Sequence, residues 1–388
     1  MTIPAEQPPG AAPAVRRPLR IIWEGSQALV HSFALVNREL CLKLIERGHE
    51  LSIRPSGAHE QEAEAAEVHP RVAARFHQPL SGPPDVCVRH QWPPHLTPPP
   101  SGRWVIMQPW EYGSLPKAWI APMSTLVDEV WVPSRFVRDC CVASGIPAER
   151  VHVIPLGVDP TRFRPDASPL PLAAQKRFKF LFVGGTLHRK GIDVLLEAYS
   201  RAFSAADDVC LMIKDLGAAT FYQGQTAGDL IARIQTRPDS PTITYIDRTL
   251  TGDELAGLYT ACDCLVHPYR GEGFGLPIAE AMACGLPVIV TGHGAAQDFC
   301  NANNAYLIPA RRTRFARRRI GDLETVADPW MWEPDRHALE RLMRRVFEYP
   351  VEAKSRGRAA TNHIYRGFTW KLAADKAERR LMELVGDV

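Results

Sequence analysis

The sequence predicts an α/β chain of two doubly wound parallel-sheet domains that face each other across a central cleft. Three observations carry this expectation. At 388 residues the chain is too long for one ordinary core. Short apolar runs alternate with amphipathic stretches, the pattern of strands crossing over through helices. The alternation breaks once, in the proline-rich and aperiodic "VDPTRFRPDASPLPLAAQK" (158–176), and restarts near residue 177. The expected division is a disordered tail over 1–18, a first domain over 19–165, a linker over 166–176 and a second domain over 177–370. A last amphipathic helix (371–388) could pack back on the first domain.

The elements follow in order. "LRIIWEG" (19–25) reads as a strand ending in glycine. Residues 32–47 carry Phe33, Val36, Leu40 and Leu44 at helical spacing, and Gly48 stops the run. "HELSIRP" restarts as a strand, and a Glu/Ala-rich patch (59–68) reads as helix. "DVCVRH" (85–90), "RWVIMQ" (103–108) and "EVWVPS" (129–134) are brief buried-type strands, Ser134 caps the helix that follows, and "VHVIPLG" is one more strand. The second half repeats the scheme. "RFKFLFVGG", "DVCLMIKD", "TITYID", "DCLVHPY" and "PVIVTG" are its strands; "KGIDVLLEAYSRAF", "GDLIARIQTR", "TGDELAGLYTAC" and "PIAEAMACG" are its helices.

Composition narrows the function classes. A hydrophobic share of 45% with 23% charged residues is that of a soluble globular protein, and a net charge of +3 is too small to argue for nucleic acid. Nine cysteines without a Cys-x-x-Cys pair, most in apolar stretches such as "PDVCV", point to reduced thiols in the cytoplasm. They do not suggest a disulfide scaffold or a zinc site. The Pro/Ala-rich start lacks the apolar run of a signal peptide, and no stretch approaches 18 uninterrupted apolar residues.

The chemistry is expected at strand ends. In "FVGGTLHRKGIDVLLEAY", His188, Arg189 and Lys190 stand at the start of a helix, where the dipole prefers negative charge. Cations beside exposed helix N–H groups make a seat for phosphate, although a solvated basic turn is the plain alternative. In "RGEGFGLPIAEAMACGLPVIV" (270–290), Gly273 and Gly275 let backbone approach a ligand, and Pro277 suits a first helical turn. Glu280 in that turn could merely complement the dipole, but Glu272 in the loop is left without such an account. Two carboxylates flanking a phosphate seat suit a ligand with two polyhydroxylated rings, the layout of a nucleotide-sugar.

"GEGFGLPIAEAMACGLPVIVT" resembles the signature of the large retaining GT-B glycosyltransferase family that includes sucrose synthases and phosphatidylinositol mannosyltransferases: family four, the "glycosyl transferases group 1". "VDEVWVPSRFVRDCCVASGIPAERVHVIPLGVDPTRFRP" resembles that family's domain end and linker, "RGHELSI" its first helix–strand junction and "GFTW" its C-terminal stretch. The resemblance implies the GT-B fold of two Rossmann-like domains and transfer of a sugar from a UDP- or GDP-sugar to an acceptor hydroxyl, with retention. It implies roles as well. Glu280 would hold the ribose and Glu272 the donor sugar, with backbone N–H groups of Phe274, Gly275 and Leu276 on the sugar and distal phosphate. Lys190 would neutralise the leaving diphosphate, helped by Arg189, and Gly25 and Ser26 would close over it from the other domain. Where the family usually carries an arginine, Gly185 and Thr186 stand; where it often carries a histidine, Gln108 stands.

On the acceptor side His90, Trp110, Glu111 and Tyr112 are candidates, against the plainer reading of a structural histidine and ordinary aromatic packing. The acceptor would be a glycan, lipid or small molecule. No metal and no cofactor are expected, because Lys190 and helix N-termini can supply the positive charge. The arginine-rich "ARRTRFARRRIGD" (310–322) is expected to be a solvated or disordered loop; the sharper alternative is a patch for anionic lipid or an acidic acceptor, and with it peripheral contact at the inner face of the membrane. A nucleotide-sugar epimerase and a non-catalytic nucleotide-sugar-binding protein are the alternative functions.

Overall fold

The computed structural model describes residues 17–55, 68–173, 176–217, 222 and 224–386. The tail up to residue 16 and the Glu/Ala-rich patch over 59–67 lie outside the described residues. The first lobe runs β1 (Arg20–Glu24), α1 (Ser32–Glu46), β2 (Glu50–Arg54), α2 (Pro70–Ala73), β3 (Val86–Arg89), β4 (Arg103–Met107), α3 (Lys117–Thr125), β5 (Glu129–Val132), α4 (Arg135–Ala143) and β6 (Val151–Val153). Its six strands are parallel in the order β2-β1-β3-β4-β5-β6. Val, Ile, Trp and Met side chains of these short strands are buried on both faces, as parallel sheets require.

The second lobe runs β7 (Phe178–Val183), α5 (Ile192–Ala202), β8 (Val209–Lys214), α6 (Gly228–Gln235), β9 (Thr242–Ile246), α7 (Gly252–Thr260), β10 (Cys264–His267), α8 (Leu276–Ala283), β11 (Val288–Thr291) and β12 (Tyr306–Ile308). Its strand order is β12-β11-β10-β7-β8-β9, the six-stranded doubly wound arrangement.

The arginine-rich segment is not a loop. It opens an arm in which β13 (Ala310–Arg314) pairs antiparallel with β16 (Trp330–Pro334), and β14 (Arg319–Ile320) pairs with β15 (Leu323–Glu324) between them. Its apolar partners stand at the far end, in Trp330, Met331 and Trp332, where a reading confined to 310–322 does not see them. The chain closes with α9 (Arg336–Glu348), α10 (Pro350–Gly367) and α11 (Trp370–Val385). α11 returns to the first lobe: Ala373, Ala377 and Leu381 share a core with Leu40 and Leu44 of α1. Glu378 meets Arg47 at 3.1 Å and His49 at 3.0 Å, and Arg380 pairs with the buried Glu129.

Ser134 caps α4 as its sequence position predicts, accepting from Val137 N, and its hydroxyl also donates to Gly273 O at 2.8 Å. One side chain thus fixes a helix start in one lobe to the glycine-rich loop of the other.

Candidate active site

In an open parallel sheet a crevice forms where neighbouring strands send their loops to opposite faces. The second lobe has that reversal between β7 and β10, the first between β1 and β3. The β7–α5 and β10–α8 loops therefore meet, which brings together residues 82 positions apart: Lys190 Nζ donates to Glu272 Oε1 at 2.7 Å. The three basic residues do not open α5 itself. His188–Lys190 form a separate 3₁₀ turn, and Gly191, at φ 73°, makes the joint to the helix. A Cβ on Gly191 would lie 1.9 Å from the Pro268 carbonyl oxygen, so only glycine lets this turn sit on the end of β10.

Arg189 faces three ways. It lies 3.8 Å from Glu272 Oε2, 3.5 Å from Glu111 Oε1 of the other lobe and 3.3 Å from the Tyr222 hydroxyl. Two cations are thus balanced by two carboxylates, one from each lobe. Burial alone would push the Glu272 carboxyl up, but Lys190, Arg189 and His267 outweigh it and hold the group at about 2. Its contribution to stability is present above the ordinary 4.5 and is lost as pH falls toward 2. Arg189 is held charged by Glu111 and Glu272 against the opposing effect of burial.

The glycine-rich loop supplies a second feature. Residues 272–276 are all buried, and among the described residues no group accepts a hydrogen bond from the backbone N–H of Glu272, Gly273, Phe274, Gly275 or Leu276. Buried N–H groups are rarely left unpaired, and a run of them at a helix start is an anion seat. Gly275, at φ 99°, caps α8, while the Phe274 ring packs away on Phe299 at 5.1 Å.

Glu280 lies beyond the first turn of α8, which holds no acidic residue, so the helix dipole does not account for it. It is buried, and its Oε2 accepts from the Tyr259 hydroxyl of α7 at 2.9 Å. Burial raises its pKa to about 7, against the pull of Tyr259 and of Arg162. Among the described residues, no hydrogen bond or ion pair joins it to Lys190 or Arg189.

Other candidates are placed differently from the cation pair. Gly185 is pressed against the Tyr222 ring, where a Cβ would sit 2.7 Å from it. Thr186 turns inward: its hydroxyl donates to Asp215 at 2.6 Å and accepts from Ala227 N at 2.9 Å. Gly25 is packed on the His90 carbonyl, and Ser26 Oγ and Gln108 Oε1 are buried without partners among the described residues. Trp110 is core, its Nε1 donating to Ser114 O and its ring edge-on to Trp119 and Tyr112. His90 stacks on Phe33 at 4.5 Å and bonds through Nδ1 to Asn37 Oδ1 at 2.8 Å. Asn37 Oδ1 also accepts from Trp23 Nε1, and its Nδ2 serves two carbonyls, so His90 carries its proton on Nδ1. Burial lowers the His90 pKa to about 3, and the ring is neutral.

Two functional candidates escape the sequence reading. His267, at the end of β10, is fully buried, stacks on Phe182 and lies 3.8 Å from Glu272 Oε1, and neither of its nitrogens has a hydrogen-bond partner among the described residues. Its only signal is a histidine closing the apolar strand "CLVHPY". Arg270 is buried between Asp193 (2.7 and 2.8 Å) and Glu333 (2.6 and 2.9 Å) and also donates to His188 O.

A family profile described as "Glycosyl transferases group 1" matches residues 165–325, and one described as "Glycosyltransferase Family 4" matches 68–162. A D-inositol 3-phosphate glycosyltransferase of Catenulispora acidiphila is 30% identical over 229 residues, 55% of this chain and 54% of that protein. A GDP-mannose-dependent alpha-mannosyltransferase of Mycobacterium tuberculosis is 30% identical over 197 residues, 49% of this chain and 46% of that one. The chain spans about half the length of the curated relatives it matches. Among solved structures, sucrose-phosphate synthase from Thermosynechococcus elongatus superposes with a TM-score of 0.71 at 16% identity, covering 95% of this chain and 100% of that chain. Anabaena Alr3699/HepE in complex with UDP-glucose gives 0.65 at 14% identity, covering 94% and 100%. These likenesses are of fold, two Rossmann-like lobes in the GT-B arrangement. With the two profiles running almost without interruption from residue 68 to 325, the chain belongs to the group 1 glycosyltransferases.

Proposed function

We propose that the protein transfers a glycosyl group from a nucleoside diphosphate sugar to an acceptor hydroxyl, with retention at the anomeric carbon. The observation that carries this reading is the run of N–H groups over 272–276, in buried residues and with no acceptor among the described residues, set beside Lys190 and Arg189 at the switch point. Glu272 neutralises Lys190. A diphosphate entering on the N–H groups would draw the ammonium to itself, and the released carboxylate would accept hydrogen bonds from the sugar hydroxyls. One pair then serves both states: it keeps a buried cation compensated before binding and grips sugar and leaving group after it. Glu280, about half protonated at neutral pH, would be drawn to the ionised form by the ribose hydroxyls that donate to it.

Glu111, the carboxylate that the other lobe brings to this cluster, is taken up by Arg189 and does not stand free as a glycosidase's acid or nucleophile would. This favours a displacement in which the leaving diphosphate receives the acceptor proton, with the protein supplying position and charge stabilisation. The nine cysteines are buried and unpaired, which supports a reducing compartment, and no helix of the described residues is long and apolar enough to cross a membrane.

Relatives named for GDP-mannose and for inositol 3-phosphate set the first substrates to try. Thermal shift against UDP-, GDP- and ADP-sugars identifies the donor, since a cleft ligand stabilises by mass action. Incubation of that donor alone then separates the functions. Slow release of free sugar supports a transferase, an isomerised nucleotide-sugar means an epimerase, and an unchanged donor even with a broad acceptor panel means a binding protein.

A further inference from the structure

The arm joins the donor seat to the opposite lobe at two built contacts. At its base, β16 presents Glu333 to Arg270. All five N–H donors of that buried guanidinium are used: one on His188 O, two on Asp193 and two on Glu333. Arg270 N donates to Arg189 O at 2.7 Å and its carbonyl accepts from Trp332 N at 2.9 Å, so base and cation turn form one unit. Asp193 alone would neutralise Arg270. The second carboxylate adds no needed charge; it adds an attachment.

At its tip, the arm grips the loop that follows β4. Gly113 N donates to Trp330 O at 2.9 Å, Val326 N to Leu115 O at 3.0 Å and Ala327 N to Ser114 Oγ at 2.9 Å. The Trp330 indole fills the space a side chain at position 113 would occupy; a Cβ there would lie 1.8 Å from the ring. Phe136 meets it edge-on at 5.8 Å. The gripped loop contains Glu111, the carboxylate that reaches Arg189.

We propose that Glu333 and Trp330 are positioning residues, and that the arm is a strap setting the 110–116 loop of the acceptor lobe over the donor seat. Its role in transfer rests on the glycosyl-transfer reading above, while the mechanical coupling does not. In the unliganded protein, Glu333→Gln speeds hydrogen exchange of the 111–116 amides by about tenfold or more, although the altered residue lies in the other lobe. Trp330→Phe, which keeps a ring in the Gly113 seat, retains most of the protection, and Trp330→Ala does not. Arg318→Ala, which removes only an exposed pair with Asp328, leaves exchange as in the wild type. With the donor found by thermal shift, Glu333→Gln lowers transfer at least about fivefold more than it lowers donor hydrolysis, because water needs no acceptor wall. Unchanged exchange at 111–116 in a folded Glu333→Gln protein overturns the strap. If no nucleotide-sugar is bound or turned over by the wild type, the functional reading fails and the exchange data still decide the strap.

Discussion

Replacing Glu280 by glutamine tests whether a buried carboxyl is kept in the second lobe at a cost to stability. Its pKa lies at about 7 in the fold against 4.5 ordinarily. Between those values the folded state holds a proton that the unfolded chain has released, so stability falls as pH rises through the window and is flat above it. The displacement corresponds to about 3 kcal/mol at roughly 1.4 kcal/mol per unit. A neutral glutamine keeps the size and can still accept from Tyr259, and it avoids the ionisation. The variant should match the wild type near pH 5 and exceed it by about 2–3 kcal/mol at pH 8. For lobes of about 200 residues that is a rise in Tm of about 5–10 °C. Calorimetry at pH 5 and pH 8 reads it directly. The same variant should bind nucleotide-sugar more weakly and without the wild type's tightening as pH rises. An equal Tm difference at both pH values, or none at pH 8, would refute the burial argument.

Removing the Lys190 ammonium (Lys190→Ala) leaves Glu272 buried without its nearest partner and should destabilise by about 3 kcal/mol in urea unfolding, more than the Lys190→Ala, Glu272→Ala double variant. Either protein should lose transfer by about 10²–10³. Gly191→Ala, with its Cβ driven at the Pro268 carbonyl, should displace the cation turn; donor affinity by calorimetry falls at least about tenfold while exchange in α1 and α11 is unchanged. Arg380→Ala strips the buried Glu129 of its guanidinium and should cost about 2 kcal/mol, seen as loss of α11 protection in hydrogen exchange.

Local order was written in the chain. Alternating apolar runs named the strands, glycine and proline placed the loops around Glu272, and serine 134 announced its helix, because each depends on neighbours a few positions away. Partner choice was not. Thr186 turns to Asp215, Glu280 to Tyr259 and Glu111 to Arg189. Strand order and the contact between lobes select those pairs, and no spacing encodes them. Trp110 reads as an acceptor residue in a line of text and proves to be core, since aromatic residues serve both uses and only burial distinguishes them. The arginine-rich stretch is solvated as expected, but it reads as a loop because its strand partner stands some fifteen residues on, in β16. Residue types and turns fix what chemistry the chain can offer; the reversal in strand order at β7 and β10 decides which groups face one another, because it alone brings two distant strand ends to one crevice.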